Sequence, residues 1–175
     1  HQHAAIRGDM VCVSKGLTGG TLPLAAVLTT NEIYQQFEGD YHEFKAFLHS
    51  HSYTGNPLAC ATALATLALY FEIGESLIQQ LSHDLSEIAN VLKTNDKLTN
   101  VRQTGCILAF DLQKAANRPY HAAERTGAKI YKAALARGAL FRPLGDTFYW
   151  MPPYVTTRAE LEKLAEILFA CLAEI

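Results

Sequence analysis

Three short stretches hold the side chains best suited to chemistry, and they follow one another along a chain of 175 residues. The first centres on Lys15, which closes the β-rich run at residues 9–14 and stands directly before Gly16. A lysine forms an imine with a carbonyl compound only as the free amine, against an ordinary pKa of about 10.4. A desolvated pocket with cationic neighbours lowers that value, so a strand end facing a pocket suits the task. Gly16, Gly19 and Gly20 have no side chains, which lets a planar ring and a phosphate approach the backbone closely. The competing reading is a strand-end lysine pointing into water, where most lysines lie. Position alone leaves both open.

The second stretch runs His49-Ser50-His51-Ser52-Tyr53-Thr54-Gly55-Asn56-Pro57. Hydroxyls just before a helix start can hold a phosphate, helped by free amides and the helix dipole. Simple capping and loop hydrogen bonding explain the same residues, and taken alone they are slightly favoured. His49 and His51 have the spacing of metal ligands but no third ligand is in view, so no metal site is expected. The third stretch is Phe141-Arg142-Pro143-Leu144-Gly145-Asp146. An arginine in apolar surroundings can clamp a carboxylate through two parallel hydrogen bonds. A salt bridge from Arg142 to Asp146 is the alternative. Tyr149, Trp150 and Tyr154 read as core or pocket wall.

Two negatives narrow the chemistry. A nucleotide-hydrolase loop places its lysine after the glycines, whereas Lys15 precedes them, and no GxGxxG is present. The net charge of −2 gives no basic surface for nucleic acid. Cys12, Cys60, Cys106 and Cys171 form no CxxC pair; three have apolar neighbours, and free thiols are expected. The uncharged stretch at residues 57–71 reads as too short and too rich in Ala and Thr to span a membrane. The chain opens His1-Gln2-His3, with its first Met at position 10, which predicts a fragment of a longer protein.

The elements that must position these residues alternate in type. Strands are expected at residues 9–14 and 22–28, and a helix at 32–37 capped from Thr29-Thr30-Asn31. Residues 39–54 lack periodicity and read as a loop. Asn56-Pro57 starts a helix that is apolar on most sides to Phe71, which implies burial. Gly74 is expected to interrupt it. A second, amphipathic helix follows at 75–92, with Leu77, Ile78, Leu81, Leu85, Ile88 and Leu92 at helical spacing. Strand pairs are expected around Gly105 and Gly145, a helix at 121–137, and a last helix from the capping box Thr157-Arg158-Ala159-Glu160. The class is α/β or α+β, with a domain boundary near residues 72–75.

VSKGLTGGTLPLAAVLTT, HSYTGNPLACATAL and FRPLGDTFYWMPPY, in that order, resemble the class III aminotransferases across nearly the whole chain. The resemblance implies a fold-type-I transferase dependent on pyridoxal 5′-phosphate. Residues 1–73 would end the large cofactor-binding domain, and residues 74–175 would form the small C-terminal domain. It further implies a cytoplasmic homodimer with shared active sites, acting on small molecules and bound to neither nucleic acid nor membrane. Lys15 matches the Schiff-base lysine, which also touches substrate. His51 and Ser52 match the pair that reaches the cofactor phosphate of the neighbouring subunit. Ser50, Arg142 and Tyr149 match substrate-binding positions, Arg142 that of the arginine holding a keto acid's carboxylate. Many members carry Gly-Pro-Thr where this chain has Ser50-His51-Ser52, so the hydroxyl at the third position is retained but its neighbours are not. RPLG and YWMPPY tilt the likeness toward the biotin-pathway branch, which aminates 8-amino-7-oxononanoate from a donor such as S-adenosyl-L-methionine. Aminotransferases of ω-amino acids, ornithine or 4-aminobutyrate are the nearest alternative; a non-catalytic piece serving dimer contact is the other. The family's aspartate for the pyridine nitrogen lies upstream of anything present here, so these residues alone are expected to be incompetent.

Overall fold

The computed structural model describes residues 3–114 and 118–175; His1 and Gln2 of the unusual opening fall outside it. The backbone packs as two units, residues 1–73 and 74–175, each described in its own frame.

In the first unit, β1 (Met10–Val13) pairs antiparallel with β2 (Ala26–Thr29), in a register running from Met10 opposite Thr29 to Val13 opposite Ala26. The expected strand at 22–28 is thus shortened at its start. Pro23 lies in the excluded part and has no N–H to offer a ladder. Thr30 caps α1 (Asn31–Tyr34), its Oγ1 accepting from Ile33 N at 3.4 Å, and a 3₁₀ turn at Gln35–Phe37 extends it. Helix α2 (Pro57–Leu69) starts as its sequence requires: Asn56 Oδ1 accepts from Leu58 N at 2.9 Å and Ala59 N at 3.2 Å.

Burial in this unit departs from expectation. Of α2 only Ala59 and Ala63 are buried, while Leu58, Leu64 and Phe71 are 70%, 69% and 80% exposed. Strand β1 alternates exposed and half-buried. Apolar composition asks for cover, and nothing else in the unit supplies it. The same holds for the thiols: Cys12 and Cys60 are exposed, and only Cys171 is buried.

Gly74 does not break the helix. A π-helical turn at Tyr70–Gly74 carries it into α3 (Glu75–Leu92), because a helical glycine costs only about 1 kcal/mol relative to alanine. The resulting 36-residue run, Pro57–Leu92, is long and apolar enough to cross a membrane by length and composition, so shortness is no argument against it. Its second half nevertheless packs on protein: α3 buries Leu81, Leu85, Ile88 and Leu92 in the core of the second unit.

That core lies on one face of a four-stranded antiparallel sheet, in the order β3 (Leu98–Thr104), β4 (Ile107–Leu112), β6 (Thr147–Trp150), β5 (Pro143–Leu144). Alternation decides the face: Leu108, Phe110 and Leu112 of β4 and Phe148 and Trp150 of β6 are buried, whereas Ala109, Asp111 and Tyr149 are only partly so. Against them pack α3, α4 (Thr126–Ala136) and α5 (Arg158–Ala173), bringing Ile130, Leu161, Leu168 and Leu172. Phe141, Phe110, Phe148 and Trp150 meet ring to ring at 5.6–6.2 Å. The Thr157–Glu160 capping box forms, with Thr157 N donating to Glu160 Oε2 at 2.7 Å.

Candidate active site

Lys15 opens a 3₁₀ turn, Lys15–Thr18, that leaves β1 and packs on α2. The backbone closes on itself there: Leu17 N donates to Ser14 O, and Gly20 N to Lys15 O. Gly19 and Gly20 take the left-handed conformation, at φ 58° and 78°, which a glycine adopts without steric cost. Lys15 takes it too, at φ 51°, although it carries a Cβ. Such a residue costs about 1–2 kcal/mol, and strain of this kind gathers at functional sites. Thr18 is buried and its hydroxyl donates to Leu22 O, which ties the turn to the segment returning toward β2.

The turn borders a cavity of about 820 Å³ lined by Ser14, Lys15, Gly20, His51, Tyr53 and Thr54, among others. Two of the three candidate stretches therefore share one hollow. His51 is oriented by its own loop: its Nδ1 accepts from Tyr53 N at 3.1 Å, and its backbone N donates to Thr54 Oγ1 at 3.1 Å. With Nδ1 accepting, the neutral ring carries its proton on Nε2, as a donor. Ser50 and Ser52 flank His51 on the exposed loop but do not line the cavity.

Lys15 itself is exposed, not desolvated as its role would require. The reason lies in the unit around it, where Thr18, Ala59 and Ala63 are the buried side chains, so among its described residues nothing excludes water from Nζ. No hydrogen bond or ion pair engages Nζ among the described residues.

Arg142 belongs to the second unit. Pro143 pairs with Phe148, so continuing the register places Arg142 opposite Tyr149. The guanidinium carbon lies 5.8 Å from the centre of the Tyr149 ring, a cross-strand cation–π pair. The alternative salt bridge does not form: Asp146 Oδ1 instead accepts from Gly127 N at 2.9 Å. Among the described residues no carboxylate pairs with Arg142, which is exposed beside a hollow of about 620 Å³ walled by Tyr149, Met151, Pro152 and Leu164. An exposed guanidinium braced by a ring can receive a carboxylate from solution. Trp150 is core, Tyr149 half-buried wall, and Tyr154 about half exposed.

Sequence reasoning missed three features here. Trp150 Nε1 is buried without a hydrogen-bond partner among the described residues. Gly127 looked like an ordinary helical residue, yet a Cβ there would lie 2.0 Å from Gly145 O. Asp146 looked like a counter-ion and is a helix cap. Only the first could have been suspected from composition, since a core tryptophan always carries an N–H to satisfy.

The family model described as Aminotransferase class-III matches residues 1–172. The chain is 39% identical to an adenosylmethionine-8-amino-7-oxononanoate aminotransferase of Helicobacter pylori, over all of this chain and 40% of that protein. It superposes on the crystal structure of the enzyme of that name from Methanocaldococcus jannaschii with a TM-score of 0.85 and 35% identity, covering 96% of this chain and 39% of that one. The PMP-bound aminotransferase of Vibrio fluvialis, at 22% identity and a TM-score of 0.89 over 99% of this chain and 39% of that one, shares the fold. The chain thus spans about two fifths of the length of the relatives it matches. These likenesses place it in fold type I, among mixed α/β proteins. The ordered motifs, the backbone around Lys15 and the match over residues 1–172 have one reading: the chain belongs to the class III aminotransferases.

Proposed function

We propose that the protein carrying this chain is a transaminase that aminates 8-amino-7-oxononanoate to 7,8-diaminononanoate in biotin synthesis, with S-adenosyl-L-methionine or lysine as amino donor. The observation that carries this reading is Lys15, strained and unpaired at the edge of a hollow. The family is dependent on pyridoxal phosphate. The residues present suit that group in part. The lining offers a primary amine for an aldehyde and the side-chain-free backbone of Gly20. It offers no carboxylate for the ring nitrogen. When bound, the cofactor supplies an electron sink for the carbon losing its proton, provided its ring nitrogen is held protonated.

Lys15 Nζ is both tether and proton carrier in this account. As the free amine it removes the Cα proton of the amino donor; as the ammonium it returns a proton to the carbon being aminated. The first role needs the free amine, which calls for burial by protein beyond the surface this unit supplies. Arg142 fixes the acceptor by its carboxylate, with Tyr149 bracing the guanidinium and Ser50 contributing a hydroxyl. His51 and Ser52 serve the phosphate of a neighbouring subunit in a homodimer with shared sites. The exposure of residues 41–55 in the single chain is what such a loop requires before pairing. Residues 1–73 and 74–175 are the end of the large domain and the small domain, and the protein works in the cytoplasm.

Lys15→Ala in the complete protein tests the assignment. Transaminase activity should drop by more than about a thousandfold, and retained activity would overturn it. Assays with 8-amino-7-oxononanoate, ω-amino acids, ornithine and 4-aminobutyrate as rival substrates decide the specificity. A preference for one of the last three would replace the biotin-pathway reading.

A further inference from the structure

Helix α4 starts without a cap of its own. Its N-cap residue, Arg125, has a left-handed backbone at φ 50° and makes no side-chain cap hydrogen bond. The missing acceptor comes from 19 positions further along the chain, where Asp146 Oδ1 takes the hydrogen bond from Gly127 N at 2.9 Å. A carboxylate at that end also faces the positive pole of the helix.

Asp146 is held at its backbone as well, because its carbonyl accepts from Leu112 N at 2.8 Å. The turn before it is pressed onto the helix. A Cβ on Gly127 would lie 2.0 Å from Gly145 O and 3.2 Å from Pro143 Cβ, so only glycine lets the two segments approach this closely. Pro143 is the residue after Arg142. The strand leading into that turn is short, two residues in β5, and its ladder alone gives the guanidinium little support.

We propose that Asp146 is a positioning residue for Arg142: by capping α4 from the β5–β6 turn, it fixes the strand start that aims the guanidinium. The inference rests on the reading of Arg142 as the carboxylate clamp. Asp146 touches no substrate in it. Losing the cap frees the turn to lift off Gly127, and Pro143, with its fixed φ, passes that movement directly to Arg142.

The test is a double-mutant cycle in the complete enzyme, with steady-state kinetics for both substrates of Asp146→Ala, Asp146→Asn, Arg142→Ala and the double variant Asp146→Ala/Arg142→Ala. Asp146→Ala should raise KM for the carboxylate-bearing acceptor about tenfold, with kcat and the donor KM within twofold. Asn retains the Oδ1 acceptor and should restore most of the loss. In the Arg142→Ala background, removing Asp146 should change the acceptor KM by less than twofold, since the group it aims is gone. If Arg142→Ala raises the acceptor KM but Asp146→Ala does not, or if the two effects simply add, this inference is wrong and the clamp stands. If Arg142→Ala leaves the acceptor KM unchanged, the clamp reading fails and takes the inference with it.

Discussion

The two units differ most in what they bury. Unit 74–175 encloses over twenty apolar side chains, including Phe110, Phe141, Phe148 and Leu168, each at most 2% exposed. Among its described residues, unit 1–73 buries only Ala59, Ala63 and Thr18, and leaves Leu64, Phe47 and Phe71 in the open. Yet the coreless unit holds Lys15 and the His51 loop, while the well-packed one contributes an arginine held against a ring. A reactive amine needs a dry pocket, and such a pocket is assembled from many segments; a guanidinium clamp needs only a rigid strand. The two proposed roles therefore differ in how much surrounding protein each requires.

Point substitutions can break that contrast. Leu168→Ala removes a fully buried side chain and should destabilise the second unit by about 3 kcal/mol in the 175-residue chain. Trp150, the single tryptophan, sits in that core and reports the transition by fluorescence during urea unfolding. Leu64→Ala should move the same transition by less than about 0.5 kcal/mol, because its side chain is already in water. Equal effects would remove the distinction between the units. Gly127→Ala is expected to cost about 1–3 kcal/mol by the same measurement, since the new methyl meets the Gly145 carbonyl.

Thiol reactivity sharpens the comparison without mutation. Burial pushes the Cys171 thiol above its ordinary value, and its attack on an alkylating reagent should be at least about tenfold slower than that of Cys12 or Cys60. Mass spectrometry of a labelling time course checks this. Cys171 labelling as fast as the others would mean the second unit opens readily.

The smallest effect is electrostatic. Burial pushes the Asp111 carboxyl up, but hydrogen bonds from Asn100 and Thr147, with Arg102 alongside, bring it below its ordinary value. A carboxyl depressed on folding stabilises the unit above its unfolded value, about pH 4, and that contribution is lost as pH falls through the lower folded value. Asp111→Asn should flatten the acid side of the stability curve below about pH 4 and slightly lower the plateau above it.

The sequence was most informative where a residue's partner is near in the chain. Asn56 before Pro57 and Thr157 three residues before Glu160 announced their helix starts, and both caps form. The strand pairs expected around Gly105 and Gly145 both form. What could not be read depends on distance. Gly74 looked like a stop, but a packed amphipathic helix beyond it outweighs one glycine. The apolar run after Pro57 announced burial, yet along α2 only Ala59 and Ala63 achieve it. The cap on α4 comes from the far side of a hairpin, and no local pattern links position 127 to position 146. Of the site, the three stretches were visible as chemistry; that Lys15 and His51 border one hollow, and that Arg142 rests on Tyr149, needed coordinates.

The central claim is that Nζ of Lys15 carries the cofactor. Reducing the complete protein with borohydride in the presence of pyridoxal phosphate, followed by digestion and mass spectrometry, reads this directly. The pyridoxyl group should be found on the peptide containing Ser14-Lys15-Gly16. A modification confined to another lysine, or none under conditions where the enzyme turns over, would contradict the account.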